Sequence, residues 1–163
     1  MDWGRVSGGR DLVAEHGSPL WLVNLDILRD RWRTCAAAWR SSWPVVQIAY
    51  SYKANRQPAI LRALAAEGAG HEVDSEIEYE LARSIAHADG ATIVVQGPGK
   101  SKRLLERAAA DGALVVADGV QELARAAAGA RRLGLRGWGL RAWVTARATS
   151  VSRRLRFPWH RGV

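Results

Sequence analysis

Along the chain, short runs of apolar, β-branched and aromatic residues alternate with longer stretches in which apolar positions recur every three or four residues. The first pattern suits a strand and the second a helix with one face against a core. Residues 19–23, Pro-Leu-Trp-Leu-Val, read as an apolar strand. A helix is predicted over 26–39, with Leu28, Trp32, Cys35, Ala36 and Trp39 as its apolar stripe and Trp43-Pro44 as its break. Residues 45–52, rich in β-branched and aromatic side chains, read as the next strand. A helix over 58–67 follows, opened by Pro58 in its first turn and stopped by Gly68. The pattern continues with a short strand near Glu72-Val73, a helix over 76–87, a strand over 92–95 and a helix over 101–110. A strand over 113–117, a helix over 120–128 and a further strand candidate over 135–140 complete it. Strand–helix units repeated about every 22 residues make a parallel sheet with crossover helices. An open doubly wound sheet and a closed (β/α)8 barrel both satisfy this pattern.

Alternation along 45–52 has a chemical consequence. Val46, Ile48, Tyr50 and Tyr52 share one face, suited to packing under helices. Gln47, Ala49 and Ser51 share the other face with Lys53, which follows at the C-terminal end of the run. In parallel α/β folds that end is where sites are built. A lysine held there in a pocket is expected to be desolvated, with a lowered pKa, as attack on an aldehyde cofactor requires.

Charge and composition narrow the picture. The 163 residues suffice for one domain with an apolar core. The net charge of +8 resembles a nucleic-acid footprint, but residues 131–163 hold nine Arg and no Asp or Glu, a local +9. The other 130 residues hold 15 basic and 16 acidic side chains, a local −1, so the body has no basic excess. No window approaches the ~18 uninterrupted apolar residues of a membrane span. The first residues have no apolar leader core, and Cys35 is a lone cysteine, which together predict a cytoplasmic protein. The four His show no metal-ligand spacing, so no metal is expected. Gly97-Pro-Gly-Lys100-Ser lacks phosphate-loop spacing and reads as a strand-exit turn. The eight Trp read mostly as core or helix-face residues.

Ala49-Tyr-Ser-Tyr-Lys53-Ala-Asn55 resembles the lysine motif of the fold-type III pyridoxal-phosphate-dependent decarboxylases, the family of diaminopimelate, ornithine and arginine decarboxylases. Four further blocks resemble that family in its order: His16 to Leu22, Gly68 to Ala82, Gln96 to Ser101 and Val116 to Leu123. Tyr-Ser-Tyr-Lys-Ala-Asn together with Glu72-Val-x-Ser-x-x-Glu78-Tyr-Glu-Leu is most similar to the diaminopimelate decarboxylases. The resemblance implies the first four or five strand–helix units of a (β/α)8 barrel. It also implies pyridoxal 5'-phosphate as cofactor, a small amino-acid substrate, a homodimer in the full-length family, and neither nucleic acid nor membrane as partner. By the same resemblance Lys53 is the catalytic, Schiff-base-forming residue and Glu72 an acidic residue beside lysine and cofactor. Ser75 and Glu78 match the motif too, but Ser-x-x-Glu is also a capping box, and that structural role is expected.

The resulting organisation is a lead-in over 1–18, the cofactor-binding barrel part over 19–130 and an Arg/Trp-rich tail over 131–163. The tail loses the likeness, as a diverged end or as an out-of-frame reading. The phosphate-binding and ring-facing residues of the family lie downstream in it, so the chain is expected to be an inactive fragment of the enzyme. Two other functions fit less: an alanine-racemase-type enzyme, against which Arg56-Gln-Pro after Asn55 argues, and a remnant whose basic tail binds anionic membrane or nucleic acid.

Overall fold

The computed structural model describes residues 9–43 and 45–134. Their elements run α1 (Gly9–His16), α2 (Leu25–Ser42), β1 (Ala49–Ser51), α3 (Pro58–Ala66), β2 (Gly70–Val73) and α4 (Glu76–Ser84). A 3-10 turn (Gly90–Thr92), β3 (Ile93–Val95), α5 (Lys102–Ala110), β4 (Leu114–Val115) and α6 (Val120–Arg132) follow. The four strands form one sheet in the order β1-β2-β3-β4, every neighbouring pair parallel. Sequential parallel strands joined by helices are the architecture of a (β/α)8 barrel's opening units.

Local chemistry sets the helix boundaries. The Asn24 side chain accepts from the Asp26 and Ile27 amides at 3.0 Å and starts α2. Ser75 and Ser101 accept from the amides three residues ahead and start α4 and α5. Pro58 lies in the first turn of α3, and Gly68, at φ +76°, turns the chain out of that helix into β2.

The register divides the sheet into two unlike faces. Tyr50 pairs His71, which pairs Ile93, and Val73 pairs Val95, which pairs Val115. Apart from half-buried Tyr50 these side chains are buried, in one cluster with Tyr52, Leu61, Tyr79, Leu104, Leu105 and Ala126 from the helical side. On the other face Ser51 pairs Glu72, Glu72 pairs Val94 and Val94 pairs Leu114, all half-buried. Helices thus cover one face and leave the other open.

Several expectations need correction. Residues 19–23 form no strand; they join no ladder among the described residues, and Trp21 is 92 % exposed. Apolar composition alone does not make a strand without a neighbouring backbone to bond. The run 45–52 narrows to Ala49–Ser51 because β2 offers only four residues for pairing, and Val45 is left exposed. The strand expected over 113–117 shortens likewise to Leu114–Val115. Helix α1 arises in the lead-in, where none was expected. Helix α4 stops at Ser84 rather than 87, with His87 at φ +51° in the following turn, and α6 continues to Arg132. Among the described Trp, only Trp32 packs on the core, whereas Trp21, Trp39 and Trp43 are exposed. The strand candidate over 135–140 lies outside the described residues.

Candidate active site

The ladder that ends β1 also fixes Lys53. The Tyr52 amide donates to the Glu72 carbonyl at 3.0 Å, and the chain then turns, with the Ala54 amide bonding the Ser51 carbonyl. Lys53 sits in this turn, two residues past the strand end. Tyr52 points to the covered face, where its hydroxyl shares a 3.0 Å hydrogen bond with His71 Nδ1. Lys53 reaches across to the next strand. Its Nζ donates to Glu72 Oε1 at 3.0 Å and to Asp74 Oδ2 at 3.3 Å.

This environment departs from the expected pocket. The Lys53 side chain is 55 % exposed, so water solvates its charge. The hydrogen bonds it donates to Glu72 and then to Asp74 hold its pKa above the ordinary lysine value, outweighing the opposing effect of burial. The anticipated lowering by desolvation is not found, because the lysine stands on the open face beside two carboxylates. Ser51 Oγ and Asp74 Oδ1, both buried, lack a hydrogen-bond partner at this site.

Ser75 and Glu78 act as helix-start residues, with one difference from a capping box. Ser75 accepts from the Glu78 amide at 3.3 Å, but Glu78 Oε2 accepts from the Asp74 amide, one residue before the cap, at 2.8 Å. Glu78 is buried and also faces Arg56 at 3.5 Å. The extra residue of reach ties the turn that carries Asp74 to α4.

A second cluster repeats the arrangement after β3 and β4, and sequence reasoning missed it. The Lys100 side chain is fully buried and donates to the Gly97 carbonyl at 2.5 Å, to Glu122 at 2.9 Å and to Asp118 at 3.1 Å. Glu122 also accepts from the Asp118 amide at 2.9 Å, as Glu78 does from Asp74. The shared spacing Asp-x-x-x-Glu after alternate strands was the signal available. With every Lys100 hydrogen consumed inside the protein, this cluster is a brace between two turns. A shallow recess on the helical side, lined by Glu76, Tyr79, Glu80, Arg103, Leu104 and Arg107, is a helix seam. There Arg107 pairs with Glu80 and lies over the Tyr79 ring.

Comparison with known proteins agrees with this geometry. The family model described as the pyridoxal binding domain of pyridoxal-dependent decarboxylases matches residues 29–149. The uncharacterized protein y4yA of Sinorhizobium fredii is 35 % identical over 113 residues, covering 69 % of this chain and 24 % of that protein. Diaminopimelate decarboxylase of Deinococcus radiodurans is 33 % identical over 126 residues, covering 76 % and 31 %. The crystal structure of diaminopimelate decarboxylase from Helicobacter pylori complexed with L-lysine superposes with a TM-score of 0.72 at 26 % identity, covering 78 % and 32 %. The chain thus spans about a quarter to a third of the length of these relatives. On its sequence blocks, its parallel strand order and this match, the chain belongs to the pyridoxal-dependent decarboxylases and carries the first part of their pyridoxal binding domain.

Proposed function

We propose that Lys53 is the residue through which this chain binds the aldehyde of pyridoxal phosphate, within a decarboxylase of the diaminopimelate type. The observation that carries the reading is the placement of Lys53 just past β1, its Nζ 3.0 Å from Glu72 at the end of the neighbouring strand. The residues present fit the aldehyde end of the cofactor. The lysine is accessible to solvent, and Ser51 Oγ and Asp74 Oδ1 are orphaned polar atoms beside it. When bound, the cofactor supplies the electron sink that accepts the pair left behind as carbon dioxide departs. Lys53 supplies the amine that holds it. Glu72 orients that amine and stabilises the proton on Nζ until it is needed. The covered face behind Tyr52 and His71 keeps water from the rear of the sheet.

Two relatives named diaminopimelate decarboxylase, at 33 % and 30 % identity, support the substrate class. The 163 residues themselves cover about a third or less of those proteins. We therefore expect binding without turnover from this chain alone. The test is an absorbance titration of the chain and of Lys53→Ala with pyridoxal phosphate. A long-wavelength imine band in the parent that is lost in Lys53→Ala is expected. An equal band in both proteins would reassign the binding lysine.

A further inference from the structure

Glu72 is the acidic partner that the family motif leads one to expect beside Lys53, but Asp74 is a second carboxylate on the same ammonium. We propose that Asp74 is a positioning residue for Lys53, a second clamp that with Glu72 fixes the ammonium over the strand ends and restrains its reaction with aldehydes. The relevance of this clamp to cofactor capture rests on the reading of Lys53 given above; its existence does not.

Four observations converge on it. The backbone of Asp74 is pinned, because its amide donates to buried Glu78. Its side chain occupies space that Gly97 leaves open in the next turn. That residue lies at φ +86°, and a Cβ added there would sit 3.2 Å from both Cβ and Cγ of Asp74. A glycine is favoured in that backbone conformation, and here it also makes room for the carboxylate. Oxygen Oδ2 then lies 3.3 Å from Lys53 Nζ, while Oδ1 is buried with no partner. A buried acceptor without a donor is unfavourable, so Asp74 is not accounted for as a structural hydrogen-bonding residue. Lys53 is its cationic partner.

The local charge follows. Glu72 from β2 and Asp74 from the β2–α4 turn face one ammonium, two negative charges to one positive. Arg56, on the segment leading to α3, pairs with Glu78 instead. An amine between two carboxylates is held as the ammonium, and only the uncharged amine attacks an aldehyde. Asp74 therefore trades speed of capture for a fixed position of Nζ.

The chain carries an internal reference for the test. Its three lysines are Lys53, Lys100 and Lys102. Lys102 is 69 % exposed, with Glu106 one helical turn away at 3.7 Å. The full chain is methylated with formaldehyde and cyanoborohydride over a range of alkaline pH, and the ratio of Lys53 to Lys102 modification is read by peptide mass mapping. The amine adds to formaldehyde with loss of water, and cyanoborohydride delivers the hydride. In Asp74→Asn, which keeps the side-chain shape, the ratio should rise roughly two- to fivefold, the range that losing one exposed ion pair supports. Its pH profile should move to lower pH. Asp74→Glu, which retains the charge, should hold the parent ratio, and Asp74→Ser should behave as Asp74→Asn if asparagine perturbs folding. A ratio that is unchanged or lower in both uncharged variants, with Glu72→Gln raising it, overturns the proposal and leaves Glu72 as the clamp. Failure of pyridoxal phosphate to label Lys53, alongside a raised formaldehyde ratio, would sink the cofactor reading while supporting the clamp.

Discussion

His71 and Tyr52 share the covered face of the sheet, and their burial makes a prediction about acid. His71 is 5 % exposed, and desolvation holds its pKa below the ordinary value of about 6.5. The folded state keeps the imidazole neutral, whereas the unfolded chain takes up a proton as pH falls through that ordinary value. The unfolded state then binds more protons, so stability is full above about pH 6.5 and declines below it, by at most about 1.4 kcal/mol per pH unit. Urea unfolding at a series of pH values should show this slope in the parent chain and lose most of it in His71→Gln. An equal slope in the variant would place the acid sensitivity elsewhere. At the same scale, Lys53 and Glu72 were legible because strand alternation and a short motif name them. Asp74 was not, since the room for its side chain is left by Gly97, 23 positions later in the chain. The exposure of Lys53 was misjudged for a related reason. Alternation identifies a face but not whether anything covers it.

Between elements, two turn–helix junctions use the same device with different cations. After β2, Glu78 ties the Asp74 amide and meets Arg56, whose side chain is 64 % exposed; after β4, Glu122 ties the Asp118 amide and meets fully buried Lys100. Burial decides the energetic difference. Removing one partner of a buried ion pair strands a desolvated charge, so Lys100→Met should cost about 3 kcal/mol or more. Arg56→Ala removes a largely solvated partner and leaves Glu78 its bond from the Asp74 amide, so it should cost less than Lys100→Met. Denaturant midpoints of the two variants, compared with the parent, check this, and comparable losses would contradict the account of the brace. Helix starts were readable from the sequence because Ser75, Ser101 and Pro58 act locally. Strand extents were not, because the backbone partners that set them lie on other strands. Lys100 looked like a turn residue since the carboxylates that bury it arrive only with the turn into α6 and that helix itself.

At the level of the whole molecule, four parallel strands in sequence order present one helix-covered face and one half-open face, with the lysine at the strand ends of the open one. Among the described residues no helix is long and apolar enough to cross a membrane. The matched segments make up 31 % and 22 % of the relatives named as diaminopimelate decarboxylases, so most of their residues have no counterpart in this chain. The purified chain is accordingly expected to release no carbon dioxide from meso-diaminopimelate, ornithine or arginine in the presence of cofactor. Turnover that disappears in Lys53→Ala would overturn that expectation. The central claim, that Lys53 is the cofactor lysine, is tested most directly by reducing the chain with borohydride in the presence of pyridoxal phosphate and mapping the modified peptide. The expected result is a pyridoxyl group on Lys53, with Lys100 unmodified in its buried brace and Lys102 at background. Modification of Lys102 or Lys100 in preference to Lys53 would contradict it.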